Sequence, residues 1–254
     1  MNLNAIEIPI GTSRSGETIS VQLTIPGRNH CFIVGGVGSG KSMLLKVIID
    51  SVSRDYNTSQ VIVWTDYYSH NYTKCMNASV LEVILPESNA EERTITLLER
   101  LYHEAQNRIQ ILQSTDLQLH QIDSMPWLIA IIDDFYPFDC YSDRGRIAAE
   151  RLSSILRMSH AIGISLICAS QLPVSRLCCW SFPISDFFNL RIALRSSQNE
   201  IPEALGIDQS MISTEINKAI DNLSSSRRPG DFLFYNRYDR ESLISGRVMF
   251  QAEC

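Results

Sequence analysis

The chain has 254 residues, 44% of them hydrophobic and 20% charged, which is enough for one α/β domain with a core on both faces of a sheet and ordinary for a globular protein. No apolar run approaches the ~18 residues that span a bilayer, and the opening residues carry neither the basic nor the apolar region of a secretory signal. A formal net charge of −6 argues against a generally basic nucleic-acid-binding surface, but leaves room for local arginines where a strand would pass.

Residues 5–34 place apolar side chains at strand spacing, with turn signals at residues 11–16 and 26–29, and predict a hairpin feeding a third strand. That strand runs into Gly35-Gly36-Val37-Gly38-Ser39-Gly40-Lys41-Ser42, and an apolar helical segment, residues 43–49, leaves it. Gly-x-x-x-x-Gly-Lys-Ser between a strand and a helix is a phosphate-binding pattern. Closely spaced glycines let backbone N–H groups turn inward, and the helix adds the positive end of its dipole at the same spot. Gly35, Gly36, Val37, Gly38, Ser39, Gly40, Lys41 and Ser42 are therefore the candidate nucleotide-binding residues. Lys41 would reach the β and γ phosphates as a point charge, and the Ser42 hydroxyl would take one position on a Mg2+ ion that keeps most of its waters.

Residues 60–66 read as a buried parallel strand ending at Asp66, and residues 80–85 as a shorter one. From 89 to 113 the apolar residues Ile95, Leu97, Leu98 and Leu101 recur at helical spacing, opposite a solvated face of Glu99, Arg100, Glu104 and Arg108. Residues 126–134 are an apolar run ending in two carboxylates, as a central strand does when its carboxyl end opens onto a site. Alone this would be an acidic turn; with the phosphate loop upstream, Asp133 becomes the second Mg2+ holder and Asp134 the residue that orients or deprotonates the attacking water. A helix over 144–160 precedes a buried strand, 163–171, whose terminal Gln171 is placed to sense the γ-phosphate. A strand over 190–195, a helix over 199–205, a polar loop over 222–230 and terminal strands near 232–234 and 248–250 complete the expectation, as one domain over residues 1–254.

Seven cysteines, an odd number without a Cys-x-x-Cys pair, suit a reducing cytoplasm. Cys31 and Cys168 lie in apolar strands as small core residues, and the adjacent Cys178 and Cys179 lack the spaced partners of a metal or redox site.

The motif order, phosphate loop, strand ending in acids, strand ending in a polar sensor, resembles RecA-like motor ATPases. The segments 30–42, 132–135 (Ile-Asp-Asp-Phe), 161–171, 189–195 (Asn-Leu-Arg-Ile-Ala-Leu-Arg) and 230–233 (Gly-Asp-Phe-Leu) resemble, in order and rough spacing, the FtsK/SpoIIIE motor domain over almost the whole chain. The resemblance implies an α/β, RecA-like P-loop NTPase fold: a mostly parallel central sheet flanked by helices, with N-terminal and C-terminal β additions. It also implies a homo-hexameric ATPase with sites between subunits, moving double-stranded DNA through its pore, with arginines 144, 146, 151 and 157 near the pore side. Type VII secretion and conjugation coupling relatives imply the alternative of a secreted protein substrate, or a degenerate module with weak hydrolysis. With neither an anchor nor a winged-helix domain in the chain, recruitment to the inner face of the membrane by a membrane-anchored partner, or flanking domains outside this chain, is expected.

The chain departs from the family at three places. Asp134 stands where DNA translocases of the family usually carry glutamate, which draws the carboxylate back by ~1.5 Å; His160 replaces a common arginine; and Gln171-Leu172-Pro173 lacks the arginine of the usual Gln-Arg-Pro. Charge on a transferred phosphoryl group is commonly met by an arginine, and none lies near the loop in the local sequence. Arg191 and Arg195, four apart on one short strand, project from the same face. Either they pair with Glu200 or Asp186 of the same subunit, or one reaches the γ-phosphate of a neighbour, with Arg191 ahead because it stands at an arginine of the family motif.

Overall fold

The computed structural model describes residues 5–24, 30–65, 81–83, 90–114, 125–135, 142–176, 184–238 and 243–249. Asp66, the turn at 26–29, and Cys178 and Cys179 lie outside them. In chain order the elements are β1 (Ala5–Ser13), β2 (Thr18–Thr24), β3 (His30–Val34), α1 (Lys41–Asp55), β4 (Val61–Thr65), β5 (Leu81–Val83), α2 (Ala90–Ser114), β6 (Trp127–Ile132), α3 (Asp143–Met158), β7 (Ile164–Ser170), β8 (Leu190–Leu194), α4 (Glu200–Leu205), α5 (Thr214–Ser224), β9 (Asp231–Asn236) and β10 (Leu243–Val248).

All ten strands form one sheet in the order β2-β1-β10-β9-β8-β3-β7-β6-β4-β5. From β8 to β5 every neighbour is parallel, and from β8 outward to β2 every neighbour is antiparallel. This is the α/β architecture expected, with the two chain ends supplying the antiparallel half. β3, β6, β7 and β8 are buried at every position, as strands covered on both faces must be, which is why they read as unbroken apolar runs.

Alternation of side chains across the sheet divides the core in two. Ile33, Ile131, Ile167 and Ile192 face α1 (Leu44, Leu45, Ile48, Val52), together with Ile6, Ile8 and Ile10 of the N-terminal hairpin. Phe32, Ala130, Ile132, Leu166 and Ala193 face α2, α3, α4 and α5. Cys31 and Cys168 are buried free thiols, one on each side.

A buried polar tie sets the register of β3 against β7. The His30 Nδ1 accepts the Leu166 backbone N–H at 3.0 Å, which leaves Nε2 to donate to Ser159 Oγ at 2.8 Å. The Ser159 hydroxyl in turn donates to the Leu156 carbonyl at 3.0 Å.

Two expectations need correction. The structure adds a helix, α5, to the expected elements, and residues 222–224 end that helix rather than open a loop. Ile216, Ile220 and Leu223 stand at helical spacing behind a Ser213 cap that accepts the Ile216 N–H at 3.3 Å, so the signal was present. The last strand begins at Leu243 rather than near 248, because its half-buried positions lack the apolar run that marks the central strands.

Candidate active site

The four parallel strands β8, β3, β7 and β6 end at one edge of the sheet, and the loop, both aspartates, Gln171 and Arg195 all follow from those ends. The loop is strung between its neighbours. Gly35 N–H donates to the Ser170 carbonyl at the end of β7 (3.2 Å), and Gly36 N–H to the Arg195 carbonyl just beyond β8 (3.0 Å). Gly38 and Gly40 take φ of 69° and 106°, where a side chain is strained. Gly40 also lies against the turn before β9: a Cβ there would stand 2.8 Å from Gly230 N, which itself donates to Ser39 O at 2.9 Å.

Lys41, 8% exposed, folds back to donate to the carbonyls of Gly35 (2.7 Å) and Gly36 (3.2 Å). Burial lowers its pKa, opposed by the charges of Asp134 and Asp133. The Ser42 hydroxyl donates to Asp133 Oδ2 at 3.2 Å, joining the first turn of α1 to the end of β6. Asp133 is 8% exposed, and its carboxyl is raised above the ordinary carboxylate range by burial and then by the charge of Asp134; N–H of Asp134 (2.9 Å) and Ser42 pull the other way.

Asp134 is exposed and sits in the left-handed region with φ of 52°, the one non-glycine residue among those described to do so. The next residue, Phe135, turns back to donate its N–H to Ala169 O of β7 (2.7 Å) and packs its ring edge-on against Phe32. Asp134 is thus the pivot of a sharp turn. Aspartate enters that conformation far more readily than glutamate, which gives its presence here a backbone reason beside any chemical one. Gln171 is exposed one residue beyond the Ser170 carbonyl that holds Gly35.

A Mg-nucleotide fits these groups. Ser39 Oγ is buried without a hydrogen-bond partner among the described residues, Lys41 forms no ion pair there and has only carbonyls to donate to, and Ser42 with Asp133 offers the hard oxygen pair that Mg2+ takes.

The arginine expectations change. Arg191 is 3% exposed and staples its own subunit: Nε donates to Phe188 O (3.0 Å) and Nη2 to Ser185 O (2.7 Å). Burial, then the nearby Arg237, depress its pKa to about 10. Neither Glu200 nor Asp186 pairs with it, and a guanidinium so enclosed cannot reach a neighbouring subunit without breaking both bonds. Arg195 instead lies in cis at the loop, its Nη2 3.9 Å from where a Cβ on Gly38 would be. On α3, Arg144 pairs with Glu92 (3.1 Å), Arg146 with Asp143 (2.8 Å) and Arg151 with Glu99 (2.6 Å), so three of the four arginines assigned to the pore side have carboxylate partners within the chain.

No family model matches the chain. Among curated proteins it is 26% identical over 185 residues to the DNA translocase FtsK of Staphylococcus epidermidis, a match covering 66% of this chain and 22% of that protein. It is 23% identical over 190 residues to FtsK of Staphylococcus aureus, covering 67% and 23%. The chain therefore spans about a fifth of the length of these relatives. Among solved structures, the cytoplasmic domain of the type VII secretion ATPase EccC from Thermomonospora curvata superposes with a TM-score of 0.69 at 21% identity, over 98% of this chain and 29% of that one. The pCW3 conjugation coupling protein TcpA gives 0.65 at 18% identity, over 97% and 66%. Among the described residues no helix is long and apolar enough to cross a membrane. The chain thus resembles the FtsK DNA translocases in sequence over about two thirds of its length, and its fold is that of RecA-like P-loop ATPase domains.

Proposed function

We propose that the chain hydrolyses ATP at this sheet edge and uses the energy to move a polymer, double-stranded DNA, through a ring of its own copies. The observation that carries the hydrolytic part is the 3.2 Å contact between Ser42 Oγ and Asp133 Oδ2, which brings a phosphate-loop hydroxyl and a strand-end carboxylate to one point from 91 residues apart. Ser42 and Asp133 would hold Mg2+ there. That ion, when bound, neutralises charge on the β and γ phosphates. Lys41 exchanges the carbonyls of Gly35 and Gly36 for the phosphate oxygens, and backbone N–H groups of the loop complete the cradle. Asp134, exposed beyond the buried Asp133, takes the proton of a water whose oxygen bonds to the γ-phosphorus as the bond to the bridging oxygen breaks and ADP leaves with that electron pair. Gln171 at the end of β7 positions the same water.

DNA as the polymer rests on likeness to proteins named DNA translocase FtsK, and the hexameric ring on the resemblance of the sequence motifs to the FtsK/SpoIIIE motor domain. A second reading, export or coupling of a protein substrate, draws support from the net charge of −6 and from the α3 arginines engaged by Glu92, Asp143 and Glu99, which leaves less positive charge for a phosphate backbone. The test measures ATP turnover at one salt concentration without addition, with duplex DNA and with unfolded polypeptide, in the parent and in Lys41→Ala. Stimulation by DNA alone supports the first reading and stimulation by polypeptide alone the second. Equal turnover in parent and Lys41→Ala would refute the assignment of the loop.

A further inference from the structure

The loop has a second cation whose position the hydrolytic scheme does not use. Arg195 follows β8 directly, and its backbone carbonyl takes the Gly36 N–H at 3.0 Å, so the residue is fixed to the loop by its main chain. Its half-buried side chain reaches the loop at Gly38, with Nη2 3.9 Å from where a Cβ on that glycine would stand. It has no carboxylate partner among the described residues. Glu200, an acid considered for it, accepts instead from the Ser196 hydroxyl at 2.6 Å and lies 3.8 Å from Arg176. A guanidinium held beside the phosphate loop, with no carboxylate partner among the described residues, is a complement to phosphate.

The sheet order decides which phosphates. β3 lies between β8 on one side and β7 and β6 on the other, so Arg195 and the pair Asp133 and Asp134 flank the loop from opposite sides. The aspartates mark the hydrolysed end of the nucleotide, which leaves the nucleoside-proximal end to β8. We propose that Arg195 is a nucleotide-binding residue supplied in cis, gripping the nucleoside-proximal phosphates of a nucleoside di- or triphosphate from the β8 side of the loop. The inference rests on the nucleotide-binding reading of the loop given above. Its consequence is that ADP and ATP depend on Arg195 alike, whereas a residue serving the γ-phosphate would distinguish them.

Equilibrium binding of ATP and of ADP to the full chain tests this, in the parent, Arg195→Gln and Arg195→Lys, with thermal melts to establish that each variant is folded. Arg195→Gln should weaken both nucleotides by about tenfold, Arg195→Lys by less, and the loss should shrink as salt is raised. In turnover the effect should fall on KM rather than on kcat. Unchanged affinity for both nucleotides in folded Arg195→Gln overturns the proposal, as does a loss confined to ATP, which would place the guanidinium on the γ-phosphate. A parent that binds neither nucleotide overturns the reading of the loop and this inference with it, an outcome distinct from a parent that binds and a variant that binds equally well.

Discussion

Gly230 stands far from the phosphate loop in sequence, yet its N–H donates to Ser39 O at 2.9 Å and its backbone closes against Gly40. Replacing it by alanine puts an L side chain at φ of 89°, which costs about 1–2 kcal/mol. The added methyl would land 2.5 Å from Met43 Cε, in the first turn of α1, and 3.4 Å from Val248 Cβ. Met43 can turn aside at a rotamer penalty of about 0.5–1.5 kcal/mol, which brings the total to about 1.5–3.5 kcal/mol. At about 2–4 °C per kcal/mol for a chain of this size, that corresponds to a fall in Tm of about 3–14 °C. Gly16→Ala supplies the reference, because Gly16 has nearly the same φ, 87°, and nothing within 4 Å of a Cβ. Calorimetric melts of the two variants isolate the packing of the 230 turn from the backbone strain they share, and nucleotide binding should weaken in Gly230→Ala alone. If both variants melt together and bind nucleotide as the parent does, the turn carries no energy into the loop and the reasoning is wrong.

Asp133 is raised by burial and by Asp134, so its neutral form is favoured in the folded chain; that stabilisation is full below the ordinary carboxylate range and is lost as pH rises through the raised folded value. Asp133→Asn should therefore melt above the parent at neutral pH without nucleotide, lose the advantage in acid, and bind nucleotide with no gain from added Mg2+; a lower melt at neutral pH refutes the sign. Asp134→Asn keeps a residue type suited to φ of 52° and should retain stability and nucleotide affinity while turnover drops by about 10²-fold or more, measured as phosphate release. Arg191→Lys cannot span the Phe188 and Ser185 carbonyls together and should lose about 1.5–3 kcal/mol in denaturant titration, with kcat unchanged at temperatures where it is folded; a stable variant with lost turnover would return Arg191 to the chemistry.

What could be read in the chain beforehand was whatever chemistry writes locally. The glycines, Lys41 and Ser42 form one contiguous pattern, and the strands buried on both faces announce themselves as apolar runs, so loop, central strands and the Asp133 carboxylate were legible. The arginines were not, because their meaning depends on what lies across the sheet. Arg191 needs a partner, and it finds not an anion but backbone carbonyls of the turn just before its own strand. Arg195, remote from the loop in sequence, reaches it because β8 lies beside β3. The α3 arginines find carboxylates on α2 and on their own first turn, a pairing that needs the two helices packed. Asp134 differs again: its identity was plain, but the left-handed turn that favours aspartate is a property of the backbone between β6 and β7.

The position of β3 has a consequence for how the molecule assembles. The strand that carries the phosphate loop gains its first wall from β7, where Leu166 meets His30 across 136 residues, and its second from β8, later still. Until β8 is made, a growing chain holds an intact Gly-x-x-x-x-Gly-Lys-Ser motif whose Gly36 N–H has no carbonyl to rest on and whose strand edges are open to mispairing. β1, paired early with the edge strand β2, waits longer for its inner neighbour, since β10 is made only after β9. Contacts this distant make for slow, late closure. On the nucleotide-binding reading, capture waits at least for β8, when the strand ending at Leu194 docks beside His30–Val34 and brings Arg195 with it.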